Sequence, residues 1–429
     1  MEKSKLKRAT YHLWTVTASK FIVNLGYQVF VFAISLYILR MTGSAMSFAI
    51  NIICGILPRT IFSPLAGHFV DKYSKKKILI TANIIDWLAV IGLLVVSFLH
   101  GLALPAIYIT TAIFSMCGAF SSLAFTASLT QLIDGERIQR AMSLNQMSVS
   151  IAAIAGPAIG GILYGIVSIE TFLIIYIVAS LIDILLISTL DFNLFAKKID
   201  ETQEQKAESF WESTKAGFAY LKLQRILIVL ISSALVINFF TGGTEVGYSY
   251  ILVEVLKMDS HRYGITESAF AVGMLVFSLY LAVRKEVKYP LILAKWGIVG
   301  LGGIFIAMCL PLIITFSSNF VFVYYFVLNF LLGSAVILIN TPISVMMQKT
   351  IAEEYKGRIF AIMETLATAL IPLGTLVYGG LYDWLPAQWV MGTSGLVLIV
   401  YILFTINKNV IKEIYHNAEQ SQKPVEVRS

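Results

Sequence analysis

The chain has 429 residues, of which 58% are hydrophobic and only 13% charged, with a mean hydropathy of +0.80. Soluble domains carry about 25% charged residues, and even a large water-soluble fold leaves roughly a quarter of its chain's surface in water, so a soluble globule could not hide this much apolar side chain. The formal net charge of +7 does not point to nucleic acid, because its distribution along the chain follows membrane orientation instead.

Apolar runs long enough to cross roughly 30 Å of hydrocarbon recur throughout. In the first half they cover 14–39, 45–70, 77–99, 104–132, 138–168 and 170–190. In the second half they cover 226–253, 265–283, 290–315, 318–345, 356–380 and 385–405. The runs are continuously apolar rather than alternating, which predicts helices and argues against a β-barrel. The fold class is therefore an all-α polytopic membrane protein, with twelve transmembrane helices in two pseudo-symmetric six-helix bundles. The basic start leads directly into the first span, so no cleavable signal peptide is expected. Cys54, Cys117 and Cys309 sit in apolar runs and read as buried thiols rather than a disulfide framework.

Basic residues give the orientation by an independent route. With twelve crossings, 26 of the 32 Lys and Arg residues fall on the side of the N-terminus. The opposite loops hold only Arg40, Lys257 and Arg262, and Lys20, Arg59 and Lys295 lie within spans. A wrong count would scramble this alternation. The expected location is the cell's inner (plasma) membrane, with both termini cytoplasmic.

The predicted organisation is an N-terminal six-helix bundle at 1–190, a cytoplasmic linker with some amphipathic helix at 191–225, a C-terminal bundle at 226–405 and a cytoplasmic tail at 406–429. A shift of 218 residues lays Glu136 on Glu354, Arg140 on Arg358, Gly156 on Gly374, Gly161 on Gly379 and Tyr164 on Tyr382. Five matches at one offset, in the same topological place, indicate duplication. Repeated halves are common in secondary transporters, whose sites lie between the repeats near mid-membrane.

Polar residues inside spans are costly and usually face a partner or an aqueous path. The first span carries Lys20, Asn24 and Gln28 at four-residue steps, with Tyr27 beside them. Its counterpart, the seventh, carries Asn238, Thr241, Glu245 and Tyr248. Two such stripes could line a central cavity, although Lys20 could equally snorkel to the interface. Asp86 lies about 13 Å into the third span and Arg59 about as deep in the second. Arg59 could pair with Asp86 or with Glu364, which sits in the inner half of the eleventh span, where it could serve a gate or proton coupling. Asp183 in the sixth span is a further buried carboxylate.

The loop after the second span reads Gly67-His68-Phe69-Val70-Asp71-Lys72-Tyr73-Ser74-Lys75-Lys76-Lys77. It resembles the signature loop between helices 2 and 3 of the major facilitator superfamily, with Ser74 where glycine is frequent. The resemblance implies that Gly67 permits close helix packing and that Asp71 meets a helix N-terminus and an arginine, with Arg140 first and Arg137 second as candidates. Lys72, Lys75 and Glu136 join this gating group, as do Arg358 and Glu364 in the second half. The corresponding loop there, from Val283 to Lys288, lacks the glycine and the aspartate. In the fifth span, Gly156-Pro157-Ala158-Ile159-Gly160-Gly161 resembles the core of the family's antiporter motif, associated with exporters, although Ala152 and Ser148 stand at upstream positions. A tight helix contact of no further meaning is the competing reading of these glycines.

The pattern is most similar to bacterial drug and macrolide-efflux-like exporters. That resemblance implies export of an amphiphilic or drug-like small molecule by proton antiport with alternating access, no other cofactor and a functional monomer. Glu245 is the first choice of proton carrier and Asp86 the second, since a protonated carboxyl tolerates low dielectric and an ionised one favours water or a cationic ligand. A lipid or lysolipid translocator, a proton-coupled importer of a small metabolite, and a non-transporting scaffold are the alternatives. No nucleotide loop, His-Glu-x-x-His pattern or serine elbow is present, so an enzyme is not expected.

Overall fold

The structure is a computed structural model that describes residues 2–195, 225–351, 359–360, 362–363, 365–366, 368–408 and 410–412, with 2–4, Asp71, Glu136 and Arg225 as backbone only. The expected linker helix, and Glu354, Arg358 and Glu364, lie outside the described residues. No strand occurs among those described.

In the first half the helices are α1 (Glu2–Thr42), α2 (Ala45–Lys72), α3 (Lys75–His100), α4 (Leu104–Leu132), α5 (Gly135–Tyr164) and α6 (Ile169–Ser188). The second half has α7 (Arg225–Tyr250), α8 (Ser260–Val283), α9 (Pro290–Ala307), α10 (Ser318–Thr350), α11 (Ile371–Trp384) and α12 (Ala387–Thr405). Eleven helices among the described residues are long and apolar enough to cross a membrane. The predicted eleventh span, 356–380, falls partly outside them, and α11 covers its second part. α1 starts well before residue 14, so its charged first turns extend the helix past the hydrocarbon.

Local chemistry ends the helices where the sequence changes. α1 stops at Gly43, whose φ of +62° suits a residue without Cβ, and Ser44 caps α2 by accepting from the Ser47 N–H at 3.2 Å. α9 breaks at Met308–Cys309 before a short helix, Leu310–Ile313, that carries Pro311. The carbonyls freed there are satisfied by tyrosines of α10, with Tyr324 donating to Ala307 at 2.8 Å and Tyr325 to Met308 at 2.6 Å.

The chain separates into two compact units, Met1–Gln203 with Ser249–Ala271, and Glu204–Tyr248 with Val272–Ser429. The C-terminal end of α7 and the first turns of α8 thus belong to the first unit. A π-helical turn, Ile251–Val255, follows α7 and lies against α1. α8 then crosses α5 with almost no space between backbones. A Cβ on Gly264 would collide with the Pro157 carbonyl, and one on Gly161 would stand 3.1 Å from the Gly264 Cα.

Within the first unit, α1 packs on α5 and α6, while α4 packs on α2 and α3. Its basic end is closed by the segment after α6. Leu190 and Phe192 join a core with Leu13, Val16, Leu79, Leu129 and Leu132. Lys76 Nζ donates to the last carbonyls of that region, Ser188 at 2.9 Å and Leu190 at 2.7 Å, where a cation complements a helix C-terminus. His12 is buried between the Leu132 carbonyl, 2.9 Å from Nδ1, and the Asp191 N–H, 3.4 Å from Nε2.

In the second unit, α9 packs on α10 and α12. α11 lies along α7 through small residues. Cβ atoms on Gly242, Gly243 and Gly247 would strike Ile371, Tyr378 and Tyr382, and one on Gly374 would strike the Phe239 carbonyl.

Candidate functional site

A cavity of about 220 Å³ opens inside the first unit, walled by α1, α2, α3, α4 and α6. It gathers Lys20, Asn24, Tyr27, Arg59, Asp86 and Asp183, residues that were predicted from four separate spans. Two cations and two carboxylates thus share one polar space, yet no ion pair forms among them.

Each carboxylate has a different set of partners. Asp183, 2% exposed, accepts from the Ser19 hydroxyl and, at 2.8 Å, from Asn83 Nδ2. Asn83 Oδ1 in turn accepts from Ser121 at 2.7 Å. This chain of hydrogen bonds joins α1, α6, α3 and α4, and it offsets the desolvation of a carboxylate held away from water. Asp86, 8% exposed, accepts among the described residues only from the Tyr176 hydroxyl, at 2.7 Å through Oδ2. Its Oδ1 is buried and meets no donor among the described residues, and Asn24 Nδ2 is a buried donor that meets no acceptor among them. The cavity therefore presents one unused acceptor and one unused donor, the pairing that a water, a proton on Asp86 or a polar ligand group would complete.

The remaining walls are aromatic. Phe114 lies 5.1 Å from Tyr27 and 5.2 Å from Tyr176, ring centre to ring centre, and Phe30 stacks behind them. Lys20 sits with Nζ 4.7 Å from the Phe125 ring centre, which supplies a cation–π partner in place of an anion. Arg59 is exposed and meets no acidic partner among the described residues; its expected alternative, Glu364, lies outside them. Beside it, the ladder of α2 is opened by a neighbouring helix. The Arg59 N–H donates to Ser115 Oγ at 3.1 Å, and Ser115 donates to the Gly55 carbonyl at 2.5 Å. A hydroxyl of α4 is thus inserted into the backbone of α2 one residue after Pro58.

The other predicted residues divide. Gln28 does not line this cavity; it packs against Gly156, where any side chain would collide with it. On α7, Asn238 and Thr241 spend their donors on their own helix, on Ala234 and Ile237, both at 2.9 Å. Glu245, on the same exposed face as Thr241, meets no hydrogen-bond or ion-pair partner among the described residues. Tyr248 is buried, with its ring 6.4 Å from that of Tyr325.

Of the gating group, the side chains of Asp71 and Glu136, and Arg358 and Glu364, lie outside those described. A Cβ on Gly67 would meet none of the described residues within 4 Å, and Ala66 and Val70 form the buried face of α2 beside it. Arg137 pairs with Asp134 at 2.6 Å, and the side chain of Asp71, its expected partner, lies outside those described. Arg140 lies over the Trp14 ring of α1 at 5.6 Å, and Lys72 over Tyr73 at 5.7 Å. Lys75 is half-buried at the start of α3. In the second unit, where the aspartate is missing, Glu286 pairs with Lys349 of α10 at 2.6 Å.

Sequence reading missed Ser19, Asn83, Ser115 and Tyr176. The signal for two of them was present: Asn83 stands three residues before Asp86, and Tyr176 seven before Asp183, so each pair shares a helix face.

Comparison with known proteins agrees with this architecture. The sequence model described as Major Facilitator Superfamily matches residues 16–374. Macrolide efflux protein A of Streptococcus pyogenes is 24% identical over 405 residues, covering 94% of this chain and 97% of that protein. The uncharacterized MFS-type transporter YfiS of Bacillus subtilis (strain 168) is 27% identical over 422 residues, covering 95% of each. Among solved structures, the nucleoside transporter NupG superposes with a TM-score of 0.67 at 14% identity, covering 92% of this chain and 99% of that one. The chain is a multi-pass membrane transporter and not an enzyme, and it belongs to the Major Facilitator Superfamily.

Proposed function

We propose that the chain exports an amphiphilic or drug-like small molecule by proton antiport, alternating access between the two sides of the membrane. Export is supported by relatives named macrolide efflux protein A that match nearly end to end, and by the Gly-Pro element of α5. The observation that carries proton coupling is the Asp86 carboxylate, buried in a polar cavity with one oxygen unpartnered. Its protonation removes a charge from low dielectric, and its ionisation leaves an anion beside Asn24, Tyr27 and Arg59 that a cationic or polar group can meet. Asp86 thereby takes precedence over Glu245 as the proton carrier. Asp183 has two hydrogen-bond donors and is a positioning residue. The same reading puts the chain in the cell (plasma) membrane as a monomer, both termini cytoplasmic, with protons as coupling ion and no other cofactor; the basic-residue asymmetry supports that orientation.

The test is uptake of a fluorescent macrolide-like amphiphile into proteoliposomes under an imposed pH gradient. Asp86→Asn is expected to lose accumulation driven by the gradient while still equilibrating substrate downhill, and Glu245→Gln to keep most of it. Undiminished gradient-driven accumulation in the Asp86→Asn protein removes Asp86 from the mechanism.

A further inference from the structure

The turn between α8 and α9 carries Arg284, Lys285 and Lys288, and none of the three meets a carboxylate among the described residues. Glu286, the one acid in the turn, has both oxygens 2.6 Å from Lys349 Nζ and is thereby neutralised. Arg284 is held in place by Tyr280, whose hydroxyl accepts from Nη1 at 2.6 Å and whose ring centre lies 5.4 Å away. Lys288 rests 5.2 Å from the Tyr289 ring centre. Arg284 and Lys285 border a cavity of about 80 Å³ between this turn and Thr341, Pro342 and Val345 of α10. Pro290 is also in its wall and opens α9, so the positive end of that helix adds to the field.

Directly above the charges, α8 shows an apolar stripe to its surroundings. Val276, Leu279, Tyr280 and Val283 are 44%, 61%, 44% and 87% exposed, at the spacing of one helix face. A preformed cluster of positive charge at the end of a membrane helix, continuous with an apolar track, matches an amphiphile whose head is an anion and whose tail is hydrocarbon. We propose that Arg284, Lys285 and Lys288 form a binding site for the phosphate of an anionic phospholipid, whose acyl chain lies along the exposed face of α8. The apolar track is what selects a lipid over free phosphate, because a soluble anion has no use for it. The site is separate from the Asp86 cavity and does not depend on what the chain transports.

Native mass spectrometry of the purified full-length chain, titrated with phosphatidylglycerol or phosphatidylcholine, tests the proposal. Phosphatidylglycerol is expected to be retained about tenfold more tightly, a preference that R284Q/K285Q/K288Q brings near parity and K408Q/K412Q leaves intact. Equal retention of the two lipids by the unaltered chain, or full preference in the triple variant, overturns the site. Should the triple variant not fold, Lys285→Gln alone carries the test, since Lys285 makes no hydrogen bond or ion pair among the described residues. It is expected to lose about threefold of the preference, and no loss counts against the site. Complete displacement of the lipid by inorganic phosphate at about millimolar concentration, with no residual lipid adduct, identifies a free-phosphate site and overturns the lipid assignment.

Discussion

Gly161 of α5 and Gly264 of α8 cross backbone against backbone: a Cβ built on either would stand 3.1 Å from the other's Cα. Pro157, one turn earlier, presents its carbonyl to the same glycine of α8. The Gly-Pro element of α5 therefore has a specific partner, the first turns of α8, rather than a generic helix neighbour.

Adding a methyl group at this crossing is expected to prise it open. Gly264→Ala should cost the packed arrangement about 1–3 kcal/mol, since neither neighbouring atom is the end of a flexible side chain. A cysteine at Ser260, in a background lacking the native thiols, should then react about tenfold faster with a membrane-impermeant maleimide. Unchanged labelling would mean that the crossing does not limit access.

Glycines of the two repeats are expected to respond alike, and Gly67 differently. Gly156→Ala meets Gln28 on α1, and Gly374→Ala meets Phe239 on α7, so each should lower stability by about 1–3 kcal/mol. Gly67→Ala meets none of the described residues and should stabilise α2 by about 0.5–1 kcal/mol through backbone entropy. Thermal unfolding of the three detergent-solubilised variants distinguishes them, and a destabilised Gly67→Ala protein would contradict the open space seen there.

Asp183 is expected to matter for folding more than for turnover. Replacing it by Ala strands the Ser19 hydroxyl and the Asn83 amide in a buried network, and should cost about 3–5 kcal/mol. Asp183→Asn keeps the shape and one hydrogen bond, and should cost less. If both variants unfold at the native temperature while transport is lost, Asp183 is a transport residue instead.

The Glu286–Lys349 pair is short but exposed on both sides, at 56% and 63% of the side-chain surface. Water screens such a pair, so a double-mutant cycle with E286Q and K349Q should give a coupling no larger than about 1 kcal/mol. A coupling of several kcal/mol would show that this contact clamps the basic end of the second unit.

Helices were legible because each apolar run is long and unbroken, and the basic loops count crossings independently. The repeat offset was legible too, and its meaning is visible in Gly156 and Gly374, each of which presses its helix onto the first helix of its own half. Partners across helices were not legible. Asp183 finds Ser19 and Asn83 only because α1, α3 and α6 are rotated to face one another, and rotation leaves no mark on local spacing. The crossing of α5 by α8 was hidden for the same reason as Asp183's partners: a close approach needs two glycines far apart in sequence, and each alone reads as an ordinary small residue.

The hydroxyl of Ser115 has a mechanical consequence. Because it completes a gap in the hydrogen-bond ladder of α2, the two helices share a strut at the level of Gly55 and Arg59. A twist or slide of α2 relative to α4 must first break that strut, so both helices transmit load as one beam. Force applied to the basic loop after Lys72 would then reach the wall of the Asp86 cavity through a stiff member rather than a loose one.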